Sequence, residues 1–306
     1  MNAPLFKEQA EKWLATGTNR KREPWREATI ATYRSQLANI LPVIGELPVT
    51  EVGNKTLADV ANALVEKGLE PSTVNHAIDR AKQVHDSYQD AEGQRIHPID
   101  WNNEVIDAPV VDRKKQKTPC ANLKAVEEAI QKASPEIGAL IALLAGTGLR
   151  IKEALAITTK GEEGNAWLPA ASIIVVTGQR IGAPDEQEVF GPTKTEAGIR
   201  EIDLAPELNS FLQRLVVDNP LGLLFPKSEA YYRKALNELL PGHGFHSLRR
   251  ARVTFIRLNG VPQPLVDFWT GHGAGTMSEV YTKVGTQIES RRAFAVSVGL
   301  GFKLES

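Results

Sequence analysis

Six residues in the second half of the chain have types and positions that suit phosphoryl transfer without a metal ion. Two guanidiniums could neutralise the charge of a transferring phosphate. A histidine could take the proton of a tyrosine nucleophile, and a lysine could give a proton to the departing oxygen. The tyrosine would hold the phosphate as a covalent ester between the two steps. The residues are Arg150, Lys194, His246, Arg249, His272 and Tyr281.

The local spacing of these residues predicts which of them share a helical face. Arg150 and Glu153 are three positions apart in AGTGLRIKEAL, and His246 and Arg249 are three apart in HSLR. Residues at that spacing lie on one side of a helix. His272 lies between two glycines, which indicates a tight turn. Each segment alone would also suit a surface ion pair or a structural turn, so the hypothesis depends on the combination.

Other chemistries find little support in the sequence. There is no P-loop of the form GxxxxGK(S/T), and no paired carboxylates are evident as magnesium ligands. A metal hydrolase built on His243, His246 and His272 would need an HExxH or acidic pattern that the sequence lacks. The single cysteine, Cys120, excludes an internal disulfide framework and a multi-cysteine zinc site. We therefore expect no cofactor and no metal.

The elements that must position these residues fall into two parts. A chain of 306 residues is long enough for about two domains. Helical periodicity fills residues 1–90, with breaks expected at Pro42 and Gly45 and a C-terminal cap at Gly68. Prolines and the basic run RKKQK mark residues 109–119 as an interdomain linker.

The part that contains the six residues mixes helices with short strands. Residues 172–177 (SIIVVT) suit a strongly β-branched strand, and residues 188–190 and 200–204 suit two more. The rest is helical. We therefore predict an α+β, mostly α fold, with a helical N-terminal domain at 1–108 and a larger domain at 120–285 that contains a small antiparallel three-stranded sheet.

Basic residues are unevenly distributed, although the net charge is only −1. A third of the 36 lysines and arginines lie in residues 20–26, 113–117 and 246–257. Concentrated positive charge can steer and bind a polyanion. The N-terminus shows no secretory signal, and the longest apolar run, 137–149, is shorter than the roughly 20 residues that span a bilayer. These features predict a soluble, cytoplasmic protein without a membrane partner.

The motifs together resemble those of the tyrosine recombinases, most closely the phage-type integrases. TGLRIKEAL matches their first arginine box, and HSLRR matches their second. Gly271-His272, followed nine residues later by Tyr281, matches their histidine turn and nucleophile. Lys194 precedes a strand of the form R-x-h-x-L, as their turn lysine does. The catalytic resemblance covers about residues 120–285.

The resemblance implies how the bond to phosphorus would be exchanged. Arg150 and Arg249 would clamp the scissile phosphate of DNA. Tyr281 would attack it and form a 3′-phosphotyrosyl link, and Lys194 would protonate the 5′-hydroxyl leaving group.

The remaining site residues have supporting roles by the same resemblance. His246 would assist proton transfer, and His272 would hydrogen-bond the phosphate in the transition state. Glu153 would hold the helix of the first box. The sequence departs from the family at Thr270, where an aliphatic residue is usual, and we expect this to affect packing near the histidine rather than the chemistry.

The resemblance also implies partners and assembly. The chain would be a site-specific recombinase that binds double-stranded core sites through a core-binding domain at 1–108 and exchanges strands through a Holliday junction. The apolar tail at 286–306 would dock on a neighbouring subunit in a DNA-bound tetramer. Accessory DNA-bending or directionality proteins are possible further partners, and the protein would associate with the nucleoid of a bacterial or phage host. Because helical periodicity begins close to Met1, we expect no separate arm-binding domain.

Candidate DNA contacts come from the basic stretches and from the fourth predicted helix. They are Arg20, Lys21, Arg22, Asn75, Arg80, Lys82, Arg113, Lys114, Lys115, Arg250 and Arg252. Two other functions fit the same motifs. One is a type IB topoisomerase that relaxes supercoils, and the other is a DNA-binding relative whose catalysis has decayed.

Overall fold

Contacts within the chain fall into two separate groups in this computed structural model. One unit spans Met1–Gln116 and the other Lys117–Ser306, so the division lies inside the predicted linker at 109–119. The structure describes residues 3–19, 22–112, 119–160, 164–182, 189–193, 196–215, 217, 219–272 and 283–305. The finer domain boundaries and the function of each part stay predictions.

The N-terminal unit is built from helices around one apolar core. Its helices are α1 (Phe6–Thr16), α2 (Glu27–Ile44), α3 (Asn54–Glu66), α4 (Pro71–Asp86) and α5 (Asn103–Ile106). Apolar residues at helical spacing turn one face of each long helix into this core, where Phe6, Ile40, Leu57 and Val74 have no exposed surface. Pro71 occupies the first turn of α4, where its missing N–H is harmless.

Two predicted helix ends have different outcomes. Gly68 follows α3 with a φ of 78°, and the N–H of Leu69 donates to the carbonyl of Leu64 over 3.1 Å, which confirms the glycine cap. The break expected at Pro42 is wrong, because α2 continues to Ile44. A proline this close to the end of a helix removes one intrahelical hydrogen bond without stopping the last turn.

The C-terminal unit combines helices with a small sheet. Its helices are α6 (Leu123–Lys132), α7 (Pro135–Thr147), α8 (Ile151–Ala154), α9 (Pro206–Leu212), α10 (Glu229–Leu239), α11 (Phe245–Leu258), α12 (Gln263–Thr270) and α13 (Ile288–Val298). Its strands are β1 (Ile157–Thr158), β2 (Asn165–Leu168), β3 (Ile173–Val176), β4 (Gly178–Arg180), β5 (Phe190–Pro192) and β6 (Arg200–Asp203). Helix α7 is almost entirely buried and contacts α6, α9, α10 and α11. The predicted fold class, α+β and mostly α, is confirmed.

The main sheet has a different membership from the predicted one. The strands predicted at 172–177 and 200–204 are β3 and β6, which pair antiparallel. Strand β2 pairs antiparallel with β3 on its other side, and β1 adds a parallel edge, so the described residues form a four-stranded sheet. The strand expected at 188–190 is found slightly later as β5, which pairs with β4 in a separate two-stranded sheet. Strand β2 is too short to show a clear alternation in the sequence, which explains why it is not predicted.

The C-terminal tail packs on its own unit in this single chain. Leu300 and Phe302 join the main apolar core, whereas Ile288 and Val296 on α13 remain exposed. Docking of the tail on a neighbouring subunit stays a prediction.

A buried arginine fastens α13 to the sheet. Arg291 is 1% exposed, and its Nη2 donates to Glu201 over 2.6 Å while its Nη1 donates to the carbonyl of Gly285 over 3.1 Å. Its Nε lies 3.3 Å from a carboxylate oxygen of Asp203. Helix α13 is thus fixed to β6 by charge as well as by apolar contact.

Candidate active site

The first arginine box forms a short helix behind a left-handed glycine. Gly148 ends α7 with a φ of 73°, a conformation that favours glycine, and Arg150 then forms the N-cap of α8. The carboxylate of Glu153 accepts from the backbone N–H of Arg150 over 2.9 Å and from its Nη1 over 2.7 Å. The expected side-chain pair is therefore present, and it orients the guanidinium at the start of α8.

Glu153 is shared by two arginines. Its exposure is 3%, and Nη2 of Arg200, on β6, donates to its Oε2 over 2.9 Å. Burial alone would raise the pKa of the Glu153 carboxyl, but the hydrogen bonds and charges of Arg200 and Arg150 outweigh burial and hold the pKa below its ordinary value. Glu153 therefore stays charged at neutral pH and connects α8 to the sheet.

Three guanidiniums converge on the carbonyl end of α12. Three consecutive carbonyl oxygens each accept a hydrogen bond from a different arginine. The pairs are Trp269 O with Arg200 Nε (2.8 Å), Thr270 O with Arg249 Nη2 (2.6 Å) and Gly271 O with Arg150 Nη2 (3.3 Å). The last carbonyls of a helix carry partial negative charge, which stabilises cations there. The end of α12 thus gathers arginines from α8, α11 and β6.

Arg249 is a buried cation within this group. Its exposure is 5%, and its Nη1 also donates to the carbonyl of Gly148 over 2.6 Å. Burial first, and then the charge of Arg150, lower the pKa of Arg249 to about 10, which leaves it charged at neutral pH. Among the described residues, Glu153 is the one carboxylate that accepts a hydrogen bond from any of the three arginines, and it accepts from Arg150 and Arg200 only. The cluster therefore keeps excess positive charge. Such a cluster suits a phosphate, because guanidinium groups bind phosphate oxygens bidentately.

His272 lies directly beyond the glycine that ends α12. Gly271 has a φ of 64°, and a Cβ there would lie 2.9 Å from Nη1 of Arg200, so the turn and the packing both require glycine. The imidazole is about half exposed, with its Nε2 3.2 Å from Nη2 of Arg249 and its Nδ1 3.1 Å from Oγ1 of Thr270. Burial, followed by the charge of Arg249, lowers the pKa of His272.

His246 lies in the first turn of α11 with an exposed side chain. Partial desolvation lowers its pKa, and the positive charges of Arg249, Arg250 and Arg150 lower it further. Arg249 follows His246 by one helical turn on α11, and its Nη2 lies 3.2 Å from Nε2 of His272, so both histidines lie near Arg249. A neutral imidazole in that position can accept a proton at neutral pH.

Four of the six predicted catalytic residues thus come together with the predicted supporting carboxylate. They are Arg150, Glu153, His246, Arg249 and His272. The other two, Lys194 and Tyr281, lie outside the described residues. The catalytic role of each of these residues remains a proposal.

Comparison with solved structures identifies the architecture. The Tn1549 transposon integrase in complex with a circular intermediate DNA matches 94% of this chain and 99% of that chain, with 20% sequence identity and a TM-score of 0.70. A lambda integrase dimer bound to a COC′ core site matches 95% of this chain and 78% of that chain, with 12% identity and a TM-score of 0.61. The XerH site-specific recombinase bound to a palindromic difH substrate matches 96% of this chain and 99% of that chain, with 16% identity and a TM-score of 0.59. This chain has the tyrosine recombinase fold.

The similarity to these proteins lies in structure rather than in sequence. No family model and no curated protein matches the chain. At identities of 20% or less, the comparison concerns the tyrosine recombinase fold itself. The resemblance seen in the motifs is confirmed at that level.

In the N-terminal unit, three side chains predicted to contact DNA make hydrogen bonds or ring contacts with other residues of the same unit. Nδ2 of Asn75 donates to two backbone carbonyls at 2.8 and 2.7 Å. Nζ of Lys82 donates to Asn103 over 2.8 Å, and the guanidinium of Arg80 lies over the ring of Tyr33, 4.5 Å from its centroid. All three candidate side chains are half-buried. Their contact with DNA stays a prediction.

The prediction that Arg252 contacts DNA needs correction. Arg252 is 4% exposed, its Nη1 donates to the carbonyl of Gly299 over 2.7 Å, and burial lowers its pKa to about 10. It faces the inside of the unit, so it does not present its charge to a duplex. Arg250 is half-buried and donates to the carbonyl of Pro119 over 2.8 Å, while Arg22 is exposed. The other candidates lie outside the described residues: Arg20, Lys21, Arg113, Lys114 and Lys115.

Three residues outside the predicted set of site residues also contribute to the site. Arg200 shares Glu153, and the side chains of Asp267 and Thr270 lie against Nδ1 of His272. The sequence signals for Arg200 are its place at the start of a predicted strand and the R-x-h-x-L form of that strand. For Thr270 the signal is its departure from the aliphatic residue usual in the family.

The residues that the structure describes contain neither a metal site nor a membrane-spanning helix. No group of three or more histidine, cysteine, aspartate or glutamate side chains is placed to hold a metal ion there. His243, His246 and His272 are all described, so the metal-hydrolase hypothesis has no geometric support. No helix among the same residues is long and apolar enough to cross a membrane.

We expect both site histidines to titrate below the ordinary histidine value of about 6.5. Replacing Arg249 by glutamine should raise the pKa of His272 partway toward that value, because desolvation persists when the neighbouring charge is removed. Histidine titration followed by NMR measures this directly. Arg257→Gln, an exposed position at the other end of α11, is the matched control. An unchanged or lowered pKa in Arg249→Gln would contradict the assigned electrostatics.

Proposed function

We propose that this chain is a site-specific tyrosine recombinase that cleaves and rejoins double-stranded DNA through a 3′-phosphotyrosyl intermediate. The observation that carries the proposal is the convergence of Arg150 and Arg249 beside His246 and His272. The fold and the motif order support it. The excess positive charge of the cluster matches a phosphodiester, and the 29% exposure of the Arg150 side chain leaves the site open to a large substrate.

The reaction would need neither ATP nor a metal ion. Oxygen of Tyr281 bonds to phosphorus as the bond from phosphorus to the 5′ oxygen breaks. Lys194 gives a proton to that 5′ oxygen, and His246 assists the transfer of the phenolic proton. Arg150 and Arg249 stabilise the charge on the phosphate oxygens. The covalent ester conserves the bond energy, so a 5′-hydroxyl from another strand can reverse the step and produce a Holliday junction.

Strand exchange of this kind requires several subunits on paired DNA sites. We infer a tetramer on double-stranded core sites, in which the tail at 286–306 contributes to assembly, and accessory DNA-bending or directionality proteins could act with it. The protein would work on the nucleoid of a bacterial or phage host.

A nicked suicide substrate tests the covalent step. The core site is first selected from a random DNA library by binding, and a nick placed near the cleavage position then lets the short fragment that carries the freed 5′-hydroxyl diffuse away. Wild-type protein should accumulate a protein–DNA adduct, which denaturing electrophoresis resolves and mass spectrometry assigns to the peptide with Tyr281. Tyr281→Phe should form no adduct, because the attacking oxygen is gone, and should bind DNA normally.

The matched control is Tyr231→Phe, an exposed tyrosine on α10 that lies outside the site. It should form the adduct at the wild-type rate. Adduct formation by Tyr281→Phe would remove the assignment of the nucleophile. Relaxation of a supercoiled plasmid that lacks the selected site would point instead to a topoisomerase.

A further inference from the structure

The hydroxyl of Thr270 lies against the imidazole of His272. Thr270 has no exposed surface, and its Oγ1 is 3.1 Å from Nδ1 of His272. An aliphatic side chain at this position would offer no hydrogen bond. The expectation that Thr270 matters for packing alone therefore misses a polar contact with a candidate catalytic residue.

The hydrogen bonds of Thr270 favour one direction for this contact. A threonine hydroxyl has one hydrogen, and the carbonyl of Val266, 2.7 Å from Oγ1 in the preceding turn, can only accept it. With that hydrogen donated to Val266, the oxygen presents a lone pair toward His272, and Nδ1 is then the donor. The carboxylate of Asp267, with Oδ1 3.6 Å from the same Nδ1, also can only accept. Gln263 holds that carboxylate by donating to both of its oxygens, at 2.8 and 2.9 Å.

The other ring nitrogen leads to the same tautomer. Nη2 of Arg249 lies 3.2 Å from Nε2 of His272, and a guanidinium nitrogen can only donate. A hydrogen on Nε2 would bring two donors together, so Nε2 carries a lone pair. Contacts on both sides of the ring thus select a neutral imidazole with its hydrogen on Nδ1.

The charges around the ring agree with a neutral state. Arg249 from α11 and Arg150 from α8 face the ring with positive charge, and Asp267 from α12 faces it with negative charge. Burial and the two arginines outweigh the carboxylate, so the pKa of His272 is lowered.

We propose that Thr270 is a positioning residue that fixes His272 in the neutral tautomer with hydrogen on Nδ1, leaving the Nε2 lone pair ready to take a proton. Nε2 then cannot donate to a phosphate oxygen in the resting protein. The proton that the phenol of Tyr281 loses on bonding to phosphorus, whose transfer His246 assists, ends on Nε2 of His272, which thereby becomes the donor to the phosphate. This catalytic consequence rests on the proposed function, whereas the tautomer does not.

Nitrogen NMR of the DNA-free, full-length protein with labelled histidine tests the tautomer. The chain has six histidines, and His272→Gln identifies the signals of His272. We expect Nδ1 to have the shift of a protonated nitrogen and Nε2 that of an unprotonated one. Thr270→Val, which keeps the shape and removes the hydroxyl, should move the tautomer ratio about fivefold toward hydrogen on Nε2. Thr270→Ser, which keeps the hydroxyl, should retain the wild-type ratio.

The wild-type spectrum alone can overturn the proposal. A protonated Nε2 and an unprotonated Nδ1 would do so, even if Thr270→Val failed to fold. An equal tautomer ratio in wild type and folded Thr270→Val would show that Thr270 does not set the tautomer.

Single-turnover cleavage of the suicide substrate tests the catalytic consequence. Thr270→Val should slow adduct formation about fivefold without changing DNA affinity, and Thr270→Ser should restore the rate. Unchanged cleavage in Thr270→Val, despite a shifted tautomer, would refute the proton-acceptor role. If wild-type protein formed no adduct at all, the proposed function would fail while the NMR result still decided the tautomer.

Discussion

Replacing Arg249 by lysine will slow DNA cleavage about 100-fold to 1000-fold and will leave DNA affinity nearly unchanged. The buried guanidinium is oriented by the carbonyl oxygens of Gly148 and Thr270. It therefore offers a fixed pattern of donors where the charge of a transition state would develop. Lysine keeps the charge but replaces the planar fork by a single point donor. Affinity depends on many phosphate contacts along the duplex, so one altered contact changes it little.

Single-turnover adduct formation on the suicide substrate, with binding measured separately, provides the comparison. The matched control is Arg252→Lys, three residues further along α11. Arg252 is also buried, its pKa is also lowered to about 10, and it also donates to a backbone carbonyl, that of Gly299. Its replacement removes a similar buried hydrogen bond away from the site. Equal slowing in both variants would assign the effect to folding and contradict the role of Arg249.

Glu153→Gln will lower the free energy of unfolding of the C-terminal unit by about 3 kcal/mol. The substitution preserves shape but leaves Arg200, which is 4% exposed, without the carboxylate that compensates its charge. Arg150 loses the same partner. Removal of one member of a buried ion pair is destabilising because the other charge stays out of water. Urea unfolding of the two proteins measures the difference.

The free energy of unfolding that Glu153→Gln loses should also depend on pH. The pKa of Glu153 is lower in the folded protein than in the unfolded chain, so its stabilisation is complete above the unfolded value and is lost as the pH falls toward the folded value. Wild type and Glu153→Gln should therefore converge in stability at acid pH. Glu201→Gln is the control, because Glu201 is 40% exposed and its partner Arg291 keeps Asp203. We expect it to lose less than about 1 kcal/mol. A similar loss in both variants would argue against a special role for the shared carboxylate.

Local periodicity is sufficient to predict the helices. It also predicts which two site residues lie together in each arginine box. The spacing of Arg150 and Glu153, and of His246 and Arg249, is set by a helical turn, which the sequence contains in full. Strand β2 could not be anticipated, because four residues show little alternation and its pairing with β3 depends on the fold. The arginine of the strand, Arg200, reaches Glu153 across 47 positions of sequence, a contact that no local pattern encodes.

Runs of basic residues in the sequence predict DNA contacts less well than charged pairs at helical spacing predict the site. The stretch at 246–257 is strongly basic, but α11 turns Arg249 and Arg252 inward and leaves Arg257 exposed. Inward-facing arginines are stabilised by carbonyl oxygens that the chain supplies from distant elements. A count of positive residues therefore does not distinguish a surface that meets DNA from a cation inside the unit. The Thr270 contact depends likewise on the left-handed turn at Gly271, which folds the histidine back over its own helix.

The buried Arg291 restricts how copies of this chain could trade their C-terminal helices. If one copy exchanged its C-terminal helix with a neighbour, its Glu201 and Asp203 would lose the positive charge of Arg291. Arg291 from another copy would restore that charge. In an open chain of copies, one subunit always lacks a partner arginine, whereas in a closed ring every subunit has one. Compensation of these carboxylates therefore favours a closed ring over an open chain.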